Sequence, residues 1–316
     1  ASLLSNGISQ NHEVIVPSFS FISTANSVLF VDAIPKFADI EDTTFGLDPK
    51  SVSKMITPKT KAILPMDYAG MSCKIFELNE IAQKNNLILI EDAAECLGSS
   101  INGKKIGSIS DTTIFSFCGN KVLTTGEGGA VITNSKKEYE KIKLIRSHGR
   151  LDKTNFFNNP SASDYLDLGY NWRMSSMTAA LGISQLSKLD KIIDLRKNNA
   201  KFLSSKLSKF SSIRVPAPPI GYDHIYQMYT IRLSNQSLRD NLHDFLTQKK
   251  IFSKVYFNPI HLTEFYKKKF NLKENSLPQT ETISSQVLTL PLYPNMENEE
   301  KNYIVESISE FFEKRE

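Results

Sequence analysis

The chain has 316 residues, 40% hydrophobic and 23% charged, with a formal net charge of +4; that length exceeds what one core usually carries, so two unequal lobes of a soluble globular protein are expected. Basic residues are spread along the chain rather than gathered in a stripe, which argues against nucleic acid, and no apolar run reaches membrane-spanning length. Three cysteines without CxxC spacing, Cys73, Cys96 and Cys118, argue against a disulfide framework or a zinc site and suit the cytoplasm.

Residues 1–4 read as the middle of a helix with no initiator Met and no cap, so an N-terminal segment is expected to be missing. From there short β-rich runs alternate with helical spacing. Strands are predicted at 13–16 (EVIV), 36–40 (KFADI), 61–65 (KAILP) and 87–90 (LILI), and helices at 23–30, 49–56 and 75–85. Such alternation implies a mostly parallel sheet covered on both faces. At 112–117 (TTIFSF) and 129–133 (GAVIT) the rhythm changes to two strands joined by a Gly-rich turn, which predicts an antiparallel hairpin. The polar tract 149–169 is too long for an idle connector. A single long helix is then predicted from a cap at Ser175 or Ser176 to about 207, with Met177, Leu181, Leu189 and Ile193 on one face. Beyond it lies a smaller αβ unit, with strands near 228–233, 251–257 and 287–290 and helices near 237–249 and 298–313.

The chemistry lies at the strand ends. Asp92 follows a buried-looking strand, and in open α/β sheets ligands sit at the carboxyl ends of strands. A lone Asp there is as readily a helix cap. The next strand ends in Ser116, and five residues on stands Lys121 in a glycine-rich turn. Desolvation or a nearby cation lowers a lysine's pKa and makes its free amine a nucleophile toward an aldehyde, although a lone lysine is usually just solvated. No GxxxxGK[ST] loop and no GxGxxG fingerprint is present, which removes the common ATP and NAD readings. Together the acid, the lysine and the hydroxyl make the set that pyridoxal 5′-phosphate (PLP) needs: a Schiff-base amine, a partner for the pyridine nitrogen and a phosphate donor.

Six segments carry a resemblance: VPSFSFISTAN (16–26), IEDAAECLGS (90–99), FSFCGNKVLTTGEGG (115–129), GYNWRMSSMTAALGISQL (169–186), YQMYTIRL (226–233) and YFNPIHL with LPLYP toward the end. They resemble the DegT/DnrJ/EryC1/StrS family of sugar aminotransferases, and the likeness covers nearly the whole chain. The resemblance implies the α/β fold-type I PLP-dependent transferase architecture. That comprises a large domain (1–207) with a mostly parallel seven-stranded sheet and the bridging helix, and a small C-terminal α+β domain (208–316). It implies Lys121 as the covalent Schiff-base lysine, Asp92 as partner of the pyridine nitrogen and Ser116 as a phosphate ligand. Phe21 falls where the family puts an aromatic ring on the cofactor face, though an ordinary core Phe is the alternative, and Glu95 falls beside the ring. Asn171 matches an asparagine that reaches the partner subunit's cofactor, which implies a homodimer with shared active sites. His148, His261 and Asn120 fall near the sugar-binding region; for the two histidines a structural hydrogen bond is an equal alternative. A Gly-Thr element that supplies phosphate donors in the family is absent from this chain.

The implied reaction passes an amino group from L-glutamate to a nucleotide-linked keto sugar, closest to the perosamine-synthase-like branch that acts on a GDP-linked 4-keto-6-deoxy sugar. Lys121 speaks against the family's 3-dehydratases, which carry a histidine there. A non-catalytic scaffold or regulator of the same fold is the alternative from a different class.

Overall fold

The protein is described from a computed structural model over residues 1–150 and 164–314. In chain order the strands are β1 (Glu13–Pro17), β2 (Ile34–Ala38), β3 (Thr60–Ile63), β4 (Ile88–Asp92), β5 (Ser100–Ile101), β6 (Lys104–Lys105), β7 (Thr112–Ser116), β8 (Gly129–Thr133), β9 (Ile213–Arg214), β10 (Tyr222–Asp223), β11 (Tyr229–Leu233) and β12 (Val287–Leu290). The main sheet runs β2-β1-β3-β4-β7-β8. Its first five strands are parallel, and β8 returns antiparallel to β7, with Thr112 opposite Thr133 and Ser116 opposite Gly129. The predicted hairpin is therefore present.

Seven strands were expected, and six are found in this sheet among the described residues. The six apolar runs legible in the first half each pair in this sheet, and no further described strand pairs with β8 beyond them.

Strand alternation sorts the two faces of this sheet. Ile15, Ile63 and Leu89 point to one side and pack with Val52, Leu78 and Ala82 from the helices Pro49–Met55 and Ile75–Lys84. Val14, Val16, Ala62 and Ile90 point to the other and meet Ala25 and Val28 of the helix Ile22–Leu29. Every residue of β1 is buried, as a strand covered on both faces requires. Ile260, Tyr266 and Leu277 join the second of these clusters, so C-terminal residues cover part of the same sheet.

The predicted long helix is two helices, Ser176–Leu186 and Leu189–Leu207. The apolar residues assigned to one face fall on both sides of the break. Met177 is 84% exposed and Leu181 45%, whereas Leu189 and Ile193 are buried. The chain turns at Ser187 and Lys188, and the second helix enters the core.

That second helix gives Ala200, Leu203 and Leu207 to another core, built around the antiparallel sheet β12-β11-β9 with Tyr229, Ile231, Leu288 and Ile308. The strand expected at 251–257 does not form; only Lys254 pairs, with Thr289. Its neighbour Phe257 turns inward instead and packs its ring against Phe19 and Tyr68, with centroids 6.1 Å from each. Residues 151–163, most of the polar tract, lie outside the described residues. No described helix is long and apolar enough to cross a membrane.

One buried histidine makes stability depend on pH. His224 is 5% exposed, its Nδ1 accepts from the Tyr226 amide at 2.9 Å, and burial pushes its pKa down from 6.5 to about 3. In the window between those values the unfolded chain binds a proton that the folded chain refuses. The stabilisation is thus complete above pH 6.5 and is lost as the pH falls toward 3. Between pH 7 and 5 the urea unfolding midpoint of the wild type should fall relative to that of His224→Gln.

Candidate active site

The carboxyl ends of β4 and β7 bring the acid and the lysine loop together, because parallel neighbours end on the same side of a sheet. Asp92, the last residue of β4, accepts from Thr24 Oγ1 at 2.8 Å through Oδ2 and from the Ala94 amide at 3.2 Å through Oδ1. Thr24 lies in the first turn of the helix Ile22–Leu29 and shares a 2.7 Å hydrogen bond with Ser20. Glu95 follows in the turn after β4 and is 5% exposed. Its Oε2 accepts from the Ala69 amide at 2.8 Å, and its Oε1 stands 3.4 Å from Lys121 Nζ.

The loop carrying Lys121 is pinned at both ends. The Phe117 amide donates to the Gly128 carbonyl at 3.0 Å, the Thr125 amide to the Phe117 carbonyl at 2.9 Å, and the Lys121 amide to the Cys118 carbonyl at 3.0 Å. Gly128 has φ +149°, and a Cβ there would lie 2.7 Å from Thr125 Oγ1, so only glycine fits. The lysine side chain is 14% exposed.

Burial raises the pKa of both Asp92 and Glu95, and the Lys121 ammonium opposes that by lowering both. Two carboxylates face one ammonium. With both acids ionised the cluster carries one surplus negative charge, and a ligand bringing a single cation would balance it. Its donor set, an amine, two buried acids and nearby hydroxyls, therefore fits a cofactor that is cationic at one end and anionic at the other.

The remaining expected residues are placed unevenly. Phe21 caps the Thr24 helix with its ring 59% exposed and 6.4 Å from that of Phe257, so it is not an ordinary core Phe. Ser116 ends β7, and its Oγ accepts from the Cys118 amide at 3.3 Å. Asn120 has an exposed side chain, and its carbonyl accepts from Gln227. His261 is fully buried, with Nδ1 2.6 Å from Ser18 Oγ and Nε2 3.2 Å from Glu281 Oε1. His148 is exposed, and its amide donates to the Tyr170 carbonyl. Asn171 is also exposed and accepts from Arg173 Nε at 3.0 Å. Asp92, Glu95 and Lys121 form one cluster; His148, His261 and Asn171 make no described hydrogen bond or ion pair to it. Thr24, the Ala69 amide and Gln227 were not singled out in the sequence, where the STAN and YQMY strings hold Thr24 and Gln227 and no motif holds Ala69.

Comparison with known proteins agrees with this architecture. The model of the DegT/DnrJ/EryC1/StrS aminotransferase family matches residues 1–309. The GDP-perosamine synthase of Caulobacter vibrioides is 34% identical over 313 residues, covering 98% of this chain and 81% of that protein. Helicobacter pylori PseC, an aminotransferase involved in the biosynthesis of pseudoaminic acid, superposes with TM-score 0.92 at 30% identity, over 99% of this chain and 84% of that one. Spr1654 from Streptococcus pneumoniae, solved in a PLP form, superposes with TM-score 0.91 at 26% identity, over 99% and 83%.

Thr24→Val removes the hydroxyl donor to Asp92 while keeping the side-chain shape. A carboxylate that loses a donor is harder to ionise, so the Asp92 titration should move further up, and stability at pH 7 should fall by about 1–3 kcal/mol. Carboxyl-carbon NMR titration and urea unfolding check the two effects.

Proposed function

The chain belongs to the DegT/DnrJ/EryC1/StrS aminotransferase family, and from that premise we propose that it transfers an amino group from L-glutamate to a nucleotide-linked keto sugar. A GDP-linked 4-keto-6-deoxy hexose is the substrate we favour, from the likeness to GDP-perosamine synthases in two organisms at 32% and 34% identity. Its cofactor is pyridoxal 5′-phosphate, as in the PLP form of Spr1654. The observation that carries this reading is the contact of Lys121 Nζ with Glu95, in the cluster whose other acid is Asp92.

When bound, the cofactor supplies an electron sink that stabilises negative charge at the Cα of the amino donor. Lys121 is the amine that would anchor it covalently, and the same amine would serve as the base for the proton at that Cα. Asp92 holds a proton on the pyridine nitrogen. Its two hydrogen-bond donors already orient the carboxylate, and a cation opposite offsets the burial that raises its pKa. Glu95 keeps Lys121 oriented before the cofactor arrives. Ser116 would contribute its hydroxyl to the phosphate, and the Phe21 ring, which is exposed, would cover one face of the cofactor.

Asn171 completes the phosphate site of a second copy in our reading, which makes the protein a homodimer. It lies on an exposed apolar stretch that includes Leu168 (80% exposed), Trp172 (51%), Met177 (84%) and Ile183 (72%), more than an isolated subunit would leave in water. His148 and Asn120 stay as sugar-side contacts. His261 does not, because both its ring nitrogens are engaged inside the protein. Residues 1–207 then serve as the cofactor-binding domain and 208–316 as the small domain, in a cytoplasmic enzyme.

Borohydride reduction of the protein with PLP, followed by peptide mass spectrometry, should place one pyridoxyl group on Lys121. Lys121→Ala should lose that label and lower glutamate-dependent amino transfer on the order of a thousandfold or more. A label elsewhere, or undiminished transfer by the variant, would overturn the assignment.

A further inference from the structure

Gln227 is the side chain on which the setting of Lys121 turns. It is 6% exposed and lies just before β11, far along the chain from the lysine loop. Its Nε2 donates to the Asn120 carbonyl at 2.7 Å, and its Oε1 accepts from the Val122 amide at 2.8 Å. These are the main-chain groups on either side of Lys121. A carboxamide offers one donor and one acceptor at fixed separation, and here it satisfies two backbone groups of a loop that have no strand partner. Val122 itself is 4% exposed, so its amide would otherwise be buried without a partner.

The far end of the lysine is tied to the same segment. Lys121 Nζ faces Glu95, whose other oxygen is held by the Ala69 amide, and the Ala69 carbonyl accepts from the Met228 amide at 3.1 Å. Segment 225–228 is seated tightly on this turn: the Ile225 amide donates to the Gly70 carbonyl at 2.9 Å, and a Cβ on Gly70 would lie 2.7 Å from the Gln227 nitrogen. Arg196, from the second helix of the broken pair, donates to the Tyr226 and Gln227 carbonyls at 3.2 and 3.3 Å. The lysine backbone and its ammonium are thus both referred to four residues of the C-terminal half.

We propose that Gln227 is a positioning residue for Lys121, its carboxamide bracketing the lysine backbone so that Nζ is presented at the carboxyl end of the sheet beside Asp92 and Glu95. The inference rests on the reading of Lys121 as the cofactor-bearing amine. It adds a control on that amine from outside the strands that carry it. Removing the bracket frees the loop while leaving the acids and the lysine in place.

The test compares Gln227→Met, close in volume but unable to bridge, with Gln227→Glu. The carboxyl in Gln227→Glu still accepts from Val122 but donates to Asn120 only when protonated. Hydrogen exchange of the protein as purified should be about tenfold faster at the Val122 amide in Gln227→Met, with β11 and β12 unchanged. In Gln227→Glu the excess exchange, corrected for intrinsic rate, should shrink as the pH is lowered, a dependence that a packing role would not produce. In amino transfer kcat should fall about tenfold in Gln227→Met with the KM for glutamate little changed. Wild-type exchange and kcat in Gln227→Met would overturn the proposal. Should that variant not fold, Gln227→Glu with pH-independent exchange would do the same. Borohydride labelling of the wild type separates the two readings. A labelled Lys121 with unchanged exchange defeats the bracket alone, whereas an unlabelled Lys121 defeats the cofactor assignment, and the bracket's purpose with it.

Discussion

An ammonium held against two partly desolvated carboxylates is the interaction on which the rest of this structure depends. Neither Asp92 nor Glu95 is comfortable alone, since burial raises the pKa of each, and Lys121 is the positive charge that lowers both. Buried charges persist only when paired and hydrogen-bonded. With both acids ionised, the pairing is incomplete by one charge. In the proposed reading, a ligand with a cationic ring nitrogen would restore the balance.

Maintaining that cluster sets demands on remote parts of the chain. The parallel sheet must end β4 and β7 on the same side, and it does so because both its faces are covered by apolar residues that alternate along each strand. A helix that begins after β1 must put Thr24 over Asp92. The turn at Ala69 and Gly70 must offer an amide to Glu95, and it is shaped by the close approach of segment 225–228. The C-terminal half therefore takes part in assembling the centre as well as packing on the sheet, where Ile260, Tyr266 and Leu277 also lie.

Much of this was legible in advance where the code is local. The six strands of the main sheet are short apolar runs bounded by turns, and all six were found within a residue or two. The hairpin announced itself through a glycine-rich turn between two β-branched runs. Errors arose where tertiary contacts overrode a local pattern. Helical spacing continues through 175–207, yet the chain turns at Ser187 and Lys188, with Leu189 and Ile193 buried beyond the turn. Residues 251–257 have strand propensity, but Phe257 gains more from the aromatic cluster of Phe19 and Tyr68 than from a ladder. The seventh strand came from the resemblance and has no counterpart among the apolar runs.

By itself the amino-acid sequence determined the elements, their alternation and the presence of an acid, a hydroxyl and a lysine at the ends of strands, because hydrophobic periodicity and turn chemistry act over a few residues. It also carried the family motifs. Only the tertiary structure decided which polar groups meet. Glu95 reaches Lys121 from the turn after a neighbouring strand, Gln227 reaches the main chain on either side of that lysine from the C-terminal half, and His261 is spent on Ser18 and Glu281 inside the protein. Such partnerships depend on distance and desolvation in the folded state, and neither quantity is written in the spacing of residues along the chain.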